Sequence, residues 1–148
     1  MLYFSKKIYE EMISHAKEIY PHEVCGALVG ELQSKFKGRE QEISKNVLKI
    51  YRMENINKDR AHDRYEINPK ELLKIEKEAS ADGLQVIGFY HSHPDHPDRP
   101  SGFDRERGWP SYAYIIISVR NGKDISVKSW TFDEETEPFR EEEMRIIN

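Results

Sequence analysis

Three prolines close behind a pair of histidines set the tightest limit on how this chain can fold. Residues Val86 to Tyr90 form an apolar run with the composition of a buried strand, and the run continues into His91-Ser92-His93. On an extended chain, side chains two positions apart project from the same face, so the two imidazoles stand together. Pro94, Pro97 and Pro100 then forbid a helix until Ser101-Gly102-Phe103-Asp104. The result is a strand ending in two same-face histidines, a stiff irregular loop, and a carboxylate that the loop can fold back. Two imidazoles and one carboxylate leave a tetrahedral ion one position open for water, which is the layout of a catalytic zinc site.

The 148 residues suffice for one domain with its own core, and the expectation is a single domain over 1–148, with the core at about 1–132 and a tail over 133–148. Charged residues make up 34% of the chain and hydrophobic ones 37%, the balance of a globular protein in water. With 27 acidic residues against 23 basic ones and a net charge of −4, the chain is not built to hold nucleic acid. A lone cysteine, Cys25, excludes an internal disulfide framework and fits a reducing compartment. Lys6 and Lys7 follow the apolar start instead of preceding an apolar stretch, and no apolar run reaches membrane length. A cytoplasmic protein without a membrane partner is expected.

Read in order, Ser5 caps a first helix with Ile8, Met12, Ala16 and Ile19 at helical spacing, which Pro21 ends. Val24 to Glu31 reads as a central strand rich in small residues, followed by a turn at Ser34 to Gly38 and a longer strand over roughly Glu42 to Glu54. Asn55 to Arg64 reads as a loop and Arg64 to Ile67 as a short strand. Asn68-Pro69 opens a second helix with Leu72, Leu73, Ile75 and Ala79, closing at Asp82-Gly83. Leu84 to His93 is the strand leading into the histidines. Ala113 to Val119, Asn121-Gly122 and Ile125 to Phe132 make a hairpin. Pro138 to Asn148 is acidic with scattered apolar residues, compatible with either a packed last element or a frayed end. This order predicts an α/β fold of the α+β type, a mixed β-sheet flanked by helices.

Hydrolysis at a metal also needs a base. The helical His-Glu-x-x-His arrangement is excluded at His22-Glu23, because Gly26 stands where its second histidine belongs and the context is a strand. Glu23 remains a candidate alone, at the mouth of the central strand. Together, Glu23 before a small-residue strand, His91-Ser92-His93-Pro94, the stretch to Pro100, and Ser101-Gly102-Phe103-Asp104 resemble the JAMM (MPN+) zinc metalloprotease motif. That motif is a glutamate, then His-x-His-Pro, then Ser-x-x-Asp. The flanks Pro21 to Gly26, Gly88-Phe89-Tyr90 and Gly108-Trp109-Pro110 agree, and the likeness spans roughly Met1 to Phe132.

The resemblance implies a cytidine-deaminase-like JAMM/MPN architecture and one Zn2+ per chain held by His91, His93 and Asp104. It makes Glu23 the general acid/base and Ser101 the hydroxyl that hydrogen-bonds a developing oxyanion. It implies an isopeptidase or peptidase acting after the Gly-Gly terminus of a ubiquitin-like or sulfur-carrier protein, whose tail would bind extended and add a strand to a sheet edge. The chain runs directly from Asp104 to the Ala113 strand, without the insertion with which larger deubiquitinases grip a second ubiquitin, so linkage-specific deubiquitination is not expected. The alternative is a non-catalytic MPN-type scaffold with a structural metal. Loss of a ligand or of the glutamate would mark it, and all are present, though a fourth protein ligand such as His96 would close the site.

Several residues have plainer readings. Ser101-x-x-Asp104 is also a helix capping box. Asp95, His96 and Asp98 are expected to be solvated loop residues, and Cys25 a buried packing residue. Trp109 and Tyr112 to Tyr114 are expected in the core, with a place bordering the cleft as the alternative for Trp109.

Overall fold

A computed structural model describes residues 1–148. The elements run β1 (Leu2–Ser5), α1 (Lys6–Ile19), β2 (Cys25–Lys37), β3 (Glu40–Met53), α2 (Pro69–Ala81), β4 (Gln85–Pro94), α3 (Gly102–Arg107), β5 (Ala113–Arg120), β6 (Asp124–Thr131), β7 (Arg140–Glu142) and β8 (Met144–Ile147). All eight strands join one sheet in the order β7-β6-β5-β4-β2-β3-β1-β8. Strand β4 runs parallel to β5 and β1 parallel to β3 and β8, the remaining pairs being antiparallel, so the sheet is mixed as expected.

Each helix starts where its cap lies. The Ser5 hydroxyl accepts the Ile8 N–H at 3.2 Å and the Asn68 side chain accepts the Lys70 N–H at 3.0 Å, each satisfying an otherwise orphaned donor. Helix α1 presses Ile8, Met12 and Ala16 onto one face of the sheet, against Leu28, Tyr90, Ile115 and Ile117. Helix α2 covers the other face with Leu72, Ile75 and Ala79 against Ala27, Val29, Phe89 and Tyr114. Neighbouring residues such as Phe89 and Tyr90 thus serve opposite layers. An irregularity in the β2–β4 register, where Leu28 pairs with Gly88 and Val29 with Val86, inserts Ile87 as an extra residue. That bulge sets the phase in which Phe89, His91 and His93 share the α2 side. Gly26 is required here: a β-carbon on it would stand 2.1 Å from the Tyr90 ring.

Three expectations change. The β2–β3 hairpin turns at Gly38-Arg39, not over Ser34 to Gly38, because Gly38 supplies the positive φ of 64° while Ser34 to Lys37 stay paired as strand. Arg64 to Ile67 is not a strand but an irregular segment with one isolated bridge, Ile67 to Asn55, just beyond the end of β3. The tail, left open by its composition, is ordered: β7 pairs with β6 at one edge of the sheet and β8 pairs with β1 at the other. Only Glu143 separates the two strands, so one short segment laces both edges together. Lys45 of β3 seals the seam, its Nζ 3.0 Å from Glu142 and 3.4 Å from the Thr131 hydroxyl of β6.

Candidate metal centre

The end of β4 brings the two histidines to a common point. His91 and His93 Nε2 atoms are 3.2 Å apart. Asp104, in the first turn of α3, reaches both, with Oδ1 3.4 Å from His91 Nε2 and Oδ2 3.1 Å from His93 Nε2. Its position follows from the capping box: Ser101 Oγ accepts the Asp104 N–H at 3.0 Å, and the Ser101 N–H donates to Asp104 Oδ2 at 2.9 Å. All three residues are buried.

Glu23 approaches from β2. Ser92, between the histidines, bonds the chain just after Glu23, its hydroxyl accepting the Val24 N–H at 2.9 Å and its own N–H donating to the Val24 carbonyl at 3.2 Å. Asn55 donates to the Glu23 carbonyl at 3.1 Å. So held, the buried Glu23 carboxylate and one ring nitrogen each of His91 and His93 lie within 4.8 Å of one another. A polar cleft of about 310 Å³, lined by Glu23, Asp63, His93, His96, Pro97, Arg99 and Ser101, opens onto them. Behind Asp104 lies a separate apolar cavity of about 260 Å³ that holds none of the other expected site residues. The chemistry faces the polar cleft.

The donor set fits a divalent cation. His93 Nδ1 lies 2.8 Å from the Pro97 carbonyl, which can only accept, so Nδ1 carries a proton and Nε2 of the neutral ring is bare. That bare nitrogen faces a carboxylate oxygen and a second imidazole nitrogen, an arrangement that calls for a proton or a cation between them. Ligand atoms about 2.0–2.1 Å from a tetrahedral ion stand about 3.3 Å from one another; the two imidazole nitrogens are 3.2 Å apart, and each faces a different oxygen of the Asp104 carboxylate, at 3.4 and 3.1 Å. Burial alone would raise the Asp104 carboxyl, but His91, His93 and the Ser101 N–H outweigh it and keep the group ionised far below the usual carboxylate range. Burial holds the His91 imidazole neutral. Glu23 goes the other way: burial pushes it up to about 8 against the pull of His93.

Of the five expected site residues, Glu23, His93 and Ser101 line this cleft, His91 is buried behind His93, and Asp104 reaches both histidines from the side of the apolar cavity. His96 lines the cleft wall as an exposed residue, while one ligand atom each of Glu23, His91 and His93 lies within 4.8 Å of the others. The loop beyond Pro94 is less solvated than expected. Asp98 is 7% exposed, accepting from the Ser126 hydroxyl while its carbonyl accepts the Trp130 indole N–H at 2.9 Å, because the loop folds back over β6. Asp95, though exposed, is also bonded, taking the Tyr20 hydroxyl at 2.7 Å and the Asn121 N–H at 2.9 Å. Cys25 is buried as expected, its thiol pushed up to about 12 by burial and so unreactive. Trp109 departs from the core reading: it is 49% exposed at the rim of the apolar cavity. Two contributors had no signal in the sequence. Tyr65 stacks on His91, and Asn55 ties Glu23 to the 64–66 segment, both from a stretch whose place is set only by tertiary contacts.

Residues 5–133 match the family model described as prokaryotic homologs of the JAB domain. A protein from Haloferax volcanii named desampylase is 35% identical over 137 residues, covering 89% of this chain and 86% of that one. A desampylase from Pyrococcus furiosus is 32% identical over 114 residues, 76% of this chain and 68% of that one. A solution structure of a protein from Desulfitobacterium hafniense superposes with a TM-score of 0.79 at 30% identity, covering 99% of this chain and 93% of that one. No helix is long and apolar enough to cross a membrane.

Proposed function

The chain belongs to the prokaryotic homologs of the JAB domain and is a hydrolase of the JAMM type, and from that premise we propose a zinc-dependent isopeptidase acting on a ubiquitin-like or sulfur-carrier protein. The bond cleaved is the amide after the carrier's C-terminal glycine. The observation that carries this reading is the convergence of His91, His93 and Asp104 at 3.1 to 3.4 Å, with the Glu23 carboxylate beside them. His91, His93 and Asp104 would hold the ion. When bound, zinc supplies a Lewis acid that brings a water's pKa to about 7 and polarises a carbonyl.

Glu23 is the proton carrier. In a site without a cation it holds its proton to about 8, and a neighbouring positive charge lowers that value, so the group can take a proton from water near neutrality and return it to the departing amine. Such a group contributes about 10²- to 10⁴-fold. Ser101 uses its Oγ lone pair to cap α3, which leaves the O–H to point a hydrogen bond into the cleft at the oxygen where charge develops. The Pro94–Pro100 loop, pinned through Asp95 and Asp98, holds Ser101 at the cleft beside His93 and spares the site a reorganisation step.

A ubiquitin-like substrate follows from the name desampylase carried by the two relatives. A glycine pair has no side chains, which suits a narrow polar cleft walled by Glu23, Ser101 and Arg99. The test is incubation of the zinc-loaded protein with ubiquitin-like and sulfur-carrier proteins extended past Gly-Gly, the products weighed by mass spectrometry. Release of a carrier ending in Gly-Gly by the wild type, slowed by about 10²-fold or more in Glu23→Gln, is the expected outcome. Intact substrates throughout would overturn the reading.

A further inference from the structure

Metal-binding imidazoles ordinarily donate their second ring N–H to a carboxylate, a carbonyl or water, which fixes the ring's orientation. His93 follows the rule through the Pro97 carbonyl. His91 does not: it is 1% exposed, and its buried Nδ1 has no hydrogen-bond partner. What touches the ring instead is an aromatic face. Tyr65 stacks on His91 with ring centroids 4.4 Å apart and planes inclined by 24°.

Tyr65 is itself held on several sides. It is buried in the cluster of Met53, Leu72, Phe89 and Tyr114 under α2. Its backbone neighbours are fastened by one amide: Asn55 donates to the Arg64 carbonyl at 3.0 Å and accepts the Glu66 N–H at 3.0 Å, while also donating to the Glu23 carbonyl. The segment carrying Tyr65 is thereby registered against the residue carrying the base. An imidazole rotated about its side-chain bonds would lose Nε2 from the point it shares with His93 and Asp104, and nothing polar resists that rotation on the Nδ1 side.

We infer that Tyr65 is a positioning residue, whose ring face takes the place of the missing hydrogen bond and holds His91 in the metal-binding orientation. The inference rests on the metal reading above. The hydroxyl plays no part in it, since the contact is made by the ring. Removal of the aromatic face should weaken divalent-metal affinity about 10- to 100-fold, the range seen when the outer partner of a ligating histidine is lost.

The experiment compares wild type, Tyr65→Phe and Tyr65→Leu. Zn2+ affinity is measured by competition with a chromophoric chelator, and the visible spectrum is recorded with Co2+ in the site. Tyr65→Leu keeps apolar bulk, and thermal unfolding of the metal-free proteins reports whether it folds as well as Tyr65→Phe. The expected result is near wild-type affinity and spectrum for Tyr65→Phe, and a 10- to 100-fold loss with an altered Co2+ spectrum for Tyr65→Leu. Equal affinities across the three proteins would overturn the inference, as would an equal loss in Tyr65→Phe. If Tyr65→Leu fails to fold, the Phe variant together with Tyr65→Trp, which retains an aromatic face, decides in its place: loss of affinity in both overturns it. A wild type that binds neither ion overturns the metal reading itself, a result distinct from those.

Discussion

At the scale of single residues, the site is a balance between burial and charge. Glu23 lies in a pocket that favours its neutral form, raising it from 4.5 to about 8. Folding therefore binds a proton that the unfolded chain releases above 4.5, so this contribution to stability is full below 4.5 and lost as pH rises through about 8. Metal-free wild type should melt progressively lower than Glu23→Gln across that window, measured by thermal unfolding in a pH series; parallel curves would contradict the burial of an ionisable group there. His15 has the opposite sign. Burial and the charge of Arg52 lower it to about 4, with its Nδ1 2.8 Å from the Tyr90 hydroxyl, so its contribution is present above 6.5 and lost as pH falls towards 4. His15→Gln should flatten the acid limb of the same series. At the metal, Glu23→Gln is expected to keep the ion while lowering kcat by about 10²-fold or more. His96→Ala should leave metal content unchanged, because His96 is an exposed residue of the cleft wall whose ring makes no contact with His91, His93 or Asp104.

At the scale of elements, what could be read in the sequence was whatever depends on local spacing. The two histidines share a face because strands alternate, and Asp104 meets them because a capping box places it in the first turn of a helix. The supports of these ligands come from elsewhere in the chain and carried no local pattern. Tyr65 and Asn55 sit in an irregular segment, and Asp98 is buried only because the loop folds over β6. Helix α3 shows how much depends on them. It has six residues, too few to hold itself, and Arg105 moors it. That guanidinium donates to the carbonyls of Glu135 at 2.6 Å and Glu137 at 2.9 Å and stacks 3.7 Å over the Phe132 ring. Arg105→Ala should therefore loosen Asp104 as well as the tail, with metal affinity falling by roughly tenfold in a chelator competition. An unchanged affinity would mean that the capping box alone suffices.

At the scale of the whole molecule, the last residues complete the sheet instead of fraying from it. Composition could not reveal this, because Arg140 to Ile147 is short and mostly exposed, and β8 pairs with β1 at the opposite end of the chain. The seam buries Lys45 against Glu142, and Glu142→Leu, which strands the lysine, should cost about 3 kcal/mol in denaturant unfolding. The sheet in turn places the cleft, since β4 and β2 lie side by side and antiparallel at its centre, so that β4 ends and β2 begins at the same rim. The central claim is that this rim is a metal site built by His91, His93 and Asp104, and elemental analysis of protein purified without chelator tests it most directly. Wild type should carry about one divalent ion per chain and Asp104→Ala close to none. A metal-free wild type, or an Asp104→Ala protein with full occupancy, would contradict it.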